Sequence, residues 1–479
     1  MNRTRQILKK SAAAVLCASL ILSGSSTAFA AGSYQETEKA ALNKLTDGIP
    51  ETWDTYLENY KKSAAGSKSN MTLKVEDTGR ALIGALMGGT DVSWLQSISL
   101  DSNISIKDGV EAIVSSVLLN DNKLCDFNVY MDLANMMEYI QIPELSDSYM
   151  KAPVSSDSEE NSEEAQQFLN TYMTTLSDLT SVLPDSKTLS TLLDRYGNII
   201  IDSFEEGSSV EESVSVDGIS EECTAYEGII SEKSAYTIVE KVLTTAKDDE
   251  EIKALFDQWS DDASNEENQY KDFQNLITDA LDDMNRDDEG STENEAFSSK
   301  VWVNGDGKIV GRQFGIDTTP VFTWKAPSEG EDSALLLELA ADDSSFTFTG
   351  SGKTADGLLN GDYILAVNGT ETVDINVENL ETKPAKAGYY NGTFNISFPA
   401  AETDSSDSEA GESTEDDTDT SATDMLAGFG AVIKLTSDAD ADTSTLDLTV
   451  TTSGAALATL SITGSYGEGV EIPDFASLD

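Results

Sequence analysis

Residues 401–424 carry no large apolar side chain; Asp, Glu, Ser and Thr dominate the run. Such a stretch cannot bury enough apolar surface to offset the entropy of ordering it. Three strand-like patterns follow, near 431–436, 445–451 and 456–463. Two or three strands by themselves are marginal in water. The C-terminal strands must therefore pair with strands upstream, and the acidic run is a long loop between sheet neighbours.

Upstream, the periodicity changes twice. Ala41, Leu42, Leu45, Ile49, Trp53 and Leu57 recur at helical spacing over 34–62, with Pro50 expected to interrupt or kink the helix. Alternation then marks strands at 70–76, at 98–106 across a local break, at 112–119 and 124–131 about the turn Asn120-Asp121-Asn122-Lys123, and at 137–142; a short apolar helix is expected at 81–87. After a solvated acidic loop at 155–164, helical spacing returns at 168–179 and 189–200, the second capped within Pro184-Asp185-Ser186. Strands at 213–217 and 223–230 precede helices at 232–247, 252–259 and 270–284. Gly305-Asp306-Gly307 marks a clear hairpin, and beyond 321 the chain reads as strand and turn.

Sheet, helices and sheet in that order predict an α+β protein. The simplest architecture is a large curved antiparallel sheet, open like a half-barrel, with helices packed on one face. The expected organisation is a signal peptide at 1–30, a sheet-and-helix body at 31–385, and strands at 386–479 that continue the sheet around the loop 401–424.

Composition narrows the chemistry. The chain has 479 residues and no histidine, which removes Ser-His-Asp triads, Cys-His dyads and His-ligated metals. Its net charge of −57 opposes nucleic acid and anionic lipid, while 39% hydrophobic content is enough for a core. Arg3, Arg5, Lys9 and Lys10 precede an apolar stretch at 12–22 and the small residues Ala28-Phe29-Ala30, with cleavage expected before Ala31. Cleavage removes four positive charges, so the mature chain carries −57 − 4 = −61. Leu16 before Cys17 does not suit a lipidation site, no segment is long and apolar enough to span a bilayer, and the C-terminal residues show no sorting motif. The expectation is an exported protein, secreted or held at the cell surface.

Three phrases carry a resemblance: Ile142-Pro143-Glu144-Leu145-Ser146 after a strand bearing Asp132; Glu222-Cys223-Thr224-Ala225-Tyr226; and Val301-Trp302-Val303 followed by Gly307 to Arg312. Together they resemble uncharacterised secreted proteins of Gram-positive bacteria, and the middle section is similar to the half-barrel of LolA- and LppX-like lipoprotein carriers. The resemblance implies a curved sheet wrapped around helices, with acyl chains sheltered in an apolar hollow.

Candidate site residues are few. Cys125 and Cys223 either form a disulfide, favoured by export, or remain buried thiols. Leu189, Leu192, Leu193, Tyr196 and Ile200 form an apolar helix stripe that lines a ligand cavity or belongs to plain core. Asp438, Asp440 and Asp442 have calcium-loop spacing, but Thr443 and Thr449 replace the Gly and Glu that an EF-hand loop needs. The cluster Asp287, Asp288, Glu289, Glu293 and Glu295 and the acids of the 401–424 run suit diffuse ion screening. Ser67-Lys68-Ser69 lacks a helical S-x-x-K context, and no glycine-rich nucleotide motif is present. No cofactor and no catalytic residue is expected. The leading expectation is a non-enzymatic binding protein for an apolar or lipid-like ligand held between sheet and helices. Its alternatives are a cell-envelope structural or protein- or glycan-interaction protein, and third a carboxylate-pair glycosidase.

Overall fold

A computed structural model describes residues 32–153, 183–259, 263–287, 295–399 and 428–475, apart from 108, 133–134, 318, 342–343, 385 and 387. The expected signal peptide, the two acidic runs at 155–164 and 401–424, the helical pattern at 168–179 and the side chains of the Asp287–Glu295 cluster fall outside the described residues. Among the described residues, twenty antiparallel strands and six helices make the fold α+β; strand accounts for 52% and helix for 28%, and the sheet is not closed. Among the described residues, no helix is long and apolar enough to cross a membrane.

The chain divides into two units. The first takes residues 1–59 and 178–349, the second 60–177 and 350–479. The units divide at places other than residue 385, and Gly392–Ser397 pairs with Thr370–Glu381 across that residue.

In the first unit, strands β7 (Glu205–Val216), β8 (Ile219–Ser231), β9 (Glu295–Asn304), β10 (Ile309–Ile316), β11 (Thr319–Lys325) and β13 (Asp332–Ala341) pair in that order, with the short β12 (Ser328–Glu329) on β13. One face meets helices α1 (Tyr34–Ala65), α3 (Ser186–Ile201) and α4 (Glu232–Lys247). There Tyr34, Ile200, Phe204, Ile238, Val301 and Phe314, with their neighbours, form the main core. Gly228 is required at this contact, since a Cβ there would lie 2.5 Å from the Tyr34 ring.

The helices start where their caps are. Asp185 accepts from the Thr188 N–H at 2.6 Å and opens α3; Ser231 accepts from the Ser234 N–H at 3.1 Å and opens α4. Pro50 does not break α1. Its ring leaves the Thr46 carbonyl without the usual helix donor, and the Ser190 hydroxyl of α3 donates to that carbonyl at 3.1 Å instead. Helices α5 (Glu250–Trp259) and α6 (Ala263–Asp287) complete the unit, joined by an aromatic contact of Phe256 with Tyr270 and Phe273.

The second unit is mostly sheet. Its strands run β6 (Met150–Pro153), β5 (Met137–Gln141), β4 (Asn122–Asp132), β3 (Val110–Leu119), β2 (Ser97–Lys107), β1 (Ser67–Val75), β20 (Ala455–Tyr466), β19 (Thr443–Thr452), β18 (Phe429–Asp438), β17 (Gly392–Ser397), β16 (Thr370–Glu381) and β15 (Leu358–Val367). β14 (Ser344–Ala355) carries the chain between the units. The C-terminal strands pair upstream as expected, β20 with β1 and β18 with β17.

The break expected within 98–106 is absent, because Ser102 keeps the alternation and meets the Ser115 hydroxyl at 2.8 Å. Asn120 and Asp121, with φ of 50° and 63°, form the tight turn between β3 and β4. The short helix α2 (Asp77–Leu86) lies close on β20; a Cβ on Gly79 would stand 2.1 Å from the Leu457 carbonyl oxygen.

Candidate functional site

Side chains alternate between the two faces of a strand, so register decides which of them become neighbours. In the second unit the registers line up apolar positions. Leu435, Leu446, Ile462, Met71, Leu100 and Val117 stand opposite one another in a row across six adjacent strands, β18 to β3. A second row, two residues along each strand, holds Ile433, Leu448, Leu460, Leu73, Ile98 and Leu119. Ile375, Ile396, Ala431, Val450 and Ala458 extend this face over β16 and β17.

The reverse face is polar and satisfies itself. Thr72 meets Ser99 at 2.9 Å, Thr445 meets Thr463 at 2.9 Å, and Thr449 meets Thr459 at 3.0 Å. Near β3 to β5 this face is covered by the chain beyond β20. Val470, Ile472 and Phe475 pack there on Ala112, Tyr130 and Tyr139, and the Phe475 ring stacks on Tyr139 at 4.1 Å.

The apolar face keeps its side chains accessible. Met71, Leu73 and Ile98 are 42%, 39% and 43% exposed, and Leu446 and Val450 are 36% and 38%. On and beyond α2, Leu86 and Trp94 are 80% and 56% exposed. Single exposed apolar residues are ordinary, whereas contiguous rows mark a binding surface. Five strand spacings of about 4.8 Å make each row roughly 24 Å long, longer than the roughly 15 Å depth of one bilayer leaflet's hydrocarbon.

A cleft of about 480 Å³ is lined by residues of β15 to β19, among them Ile375, Ile396 and Ala431 as well as Asp362, Asp374, Asn376, Asn395 and Ser397. Asn376 donates to Asp362 at 2.8 Å and Asn395 to Asn376 at 3.1 Å, so much of its hydrogen-bonding capacity is used internally.

The residues singled out from the sequence lie apart from the apolar rows. Leu189, Leu192 and Leu193 are half-buried on α3 in the first unit; the Tyr196 hydroxyl donates to Asp249 at 2.7 Å, and Ile200 is packed in the main core. The Cys125–Cys223 bridge is not made: both thiols are free, and they belong to different units. Cys223 is buried with Val214, Ala225, Trp302 and Val310, and burial pushes its thiol up to about 12.

Asp438, Asp440 and Asp442 form the hairpin turn between β18 and β19 rather than a metal cage. Asp438 accepts from the N–H groups of Asp440 and Ala441, both at 3.0 Å, and Asp442 is ion-paired with Lys386. Among the described residues, no group of three or more acidic or Cys side chains could hold a metal ion.

Sequence reading missed the apolar rows. Each strand's alternation was legible, but which strands would be neighbours, and in which register, was not.

Comparison with known proteins finds no family model, no curated protein and no solved structure that matches the chain.

Proposed function

We propose that this is a secreted, non-enzymatic protein that binds an apolar, lipid-like ligand on the apolar face of the second unit's sheet. The observation that carries the reading is the pair of six-strand apolar rows whose side chains stay about two-fifths accessible at their centre, at Met71, Leu73 and Ile98. Covering such side chains contributes on the order of 1 kcal/mol each before the costs of immobilising a ligand. No titratable group lies within the two rows, which suits an acyl chain and offers nothing for acid–base chemistry on that surface. An open sheet with an apolar face also agrees with what the resemblance to lipoprotein carriers implies.

Native mass spectrometry of the mature protein from its own secreting cells, before and after organic extraction, tests the proposal. A discrete mass lost on extraction, of lipid-like composition, supports it. An unchanged mass, together with no uptake of a fluorescent fatty acid, removes it.

A second reading is glycan binding in the cleft over β15 to β19, where paired amides and carboxylates beside apolar side chains are suited to the hydroxyls and apolar face of a sugar. Retention on an immobilised cell-wall glycan, abolished by Asn376→Ala/Asn395→Ala, would favour it.

A further inference from the structure

In the first unit the middle of the core is ionic. Arg312 of β10, 2% exposed, donates through Nη1 to Glu38 of α1, whose side chain is fully buried. Only one bond of the pair is made within the protein. Arg312 Nε and Nη2, Glu38 Oε2, Tyr34 Oη and Ser299 Oγ are all buried and none makes a well-formed hydrogen bond within the chain, Tyr34 Oη and Ser299 Oγ lying near each other but short of one.

These atoms belong to one place. Tyr34 and Glu38 are one turn apart on the same side of α1. Ser299 and Arg312 are diagonal neighbours on β9 and β10, since Ser299 stands opposite Phe314 and Val301 opposite Arg312. The Tyr34 ring lies over Gly228, and Gly228 stands opposite Ser299. Burial first, and then the charge of Glu38, raise the Tyr34 hydroxyl well above its ordinary value, while the Ser299 hydroxyl and the Arg312 charge pull it the other way, so Tyr34 lies within reach of all three.

The chemistry of an occupant follows. A buried polar group left without a hydrogen bond is destabilising, so an apolar occupant would leave several such groups unsatisfied. Arg312 and Glu38 cancel in charge, so an ion would bring a third, uncompensated charge into the core. What remains is small, neutral, and able both to donate and to accept.

We propose that the Glu38–Arg312 centre is a built hydration site, holding about two internal waters that each make roughly three hydrogen bonds to these five atoms. The waters solvate the free edge of the guanidinium and the second carboxylate oxygen, which lets a charged pair persist where burial would otherwise disfavour it.

A crystal structure of the mature chain at a resolution that shows ordered water is the direct test. The expected result is one or two bound oxygens within hydrogen-bond distance of Arg312 Nε or Nη2, shared with Tyr34 Oη, Ser299 Oγ or Glu38 Oε2. A centre without them, one in which the five atoms pair among themselves, or density for a larger molecule overturns the proposal. Water relaxation dispersion reads the same site in solution. The double variant Glu38→Leu/Arg312→Met keeps side-chain volume and should show one or two fewer long-lived internal waters than the natural chain; an equal number would count against the site.

Discussion

Met71 on β1 stands directly opposite Ile462 on β20, so the first and last of the described strands are sheet neighbours. That pairing joins the N-terminal meander to the C-terminal one, and with it two short apolar surfaces become one. The proposed ligand face exists only because of this junction.

The junction can be probed at its centre. Leu73→Lys places a charge among the apolar rows at a site that is already 39% exposed. Stability should change by less than about 1 kcal/mol, while affinity for a fluorescent fatty acid should fall at least tenfold. Titration of the probe against both proteins, with circular dichroism as the folding control, checks this; equal affinities would remove the face from the proposal.

The buried ion pair predicts an asymmetry between single and double substitutions. Arg312→Met alone leaves Glu38 charged and unpaired in the core and should cost about 3–5 kcal/mol. Glu38→Leu/Arg312→Met removes both charges and should recover most of that loss. Urea unfolding of the three proteins decides it, and a double variant no more stable than the single would show that the pair is not coupled.

Asp249 supplies an acid-sensitive tie. Burial by itself would raise its carboxyl, but hydrogen bonds from Arg195 and Tyr196 outweigh burial and hold it at about 2. A carboxyl depressed on folding stabilises above its unfolded pKa, near 3.9, and the contribution is lost as pH falls toward the folded value. Wild-type stability should therefore include about 2 kcal/mol that disappears between about pH 4 and 2. Asp249→Asn should lack this component, so the stability difference between the two proteins should shrink across that window; a constant difference would refute the linkage.

The two cysteines should differ in reactivity. Cys223 is buried with its thiol pushed up to about 12, whereas Cys125 is half-buried on β4. Iodoacetamide at pH 8 should modify Cys125 in the native protein and Cys223 only after unfolding, because the thiolate is the reacting form. Peptide mass mapping gives the order of labelling, and native labelling of Cys223 at the rate of Cys125 would contradict its burial.

The sequence by itself determined the local pieces. Asp185 and Ser231 set helix starts because a side-chain oxygen satisfies a free N–H wherever the helix goes, and Asn120-Asp121 made its turn because those residues accept positive φ. The acidic run at 401–424 required the strands after it to find partners upstream, a matter of entropy and length. Tertiary structure alone decided the rest. The apolar rows depend on registers between strands far apart in the chain, and a slip of one residue would turn each strand's apolar side chains to the polar face. The Glu38–Arg312 centre joins residues 274 positions apart. Nothing local distinguishes that glutamate or that arginine from the chain's other charges; only the packing of α1 on β9 and β10 buries both and leaves their remaining hydrogen bonds to be filled.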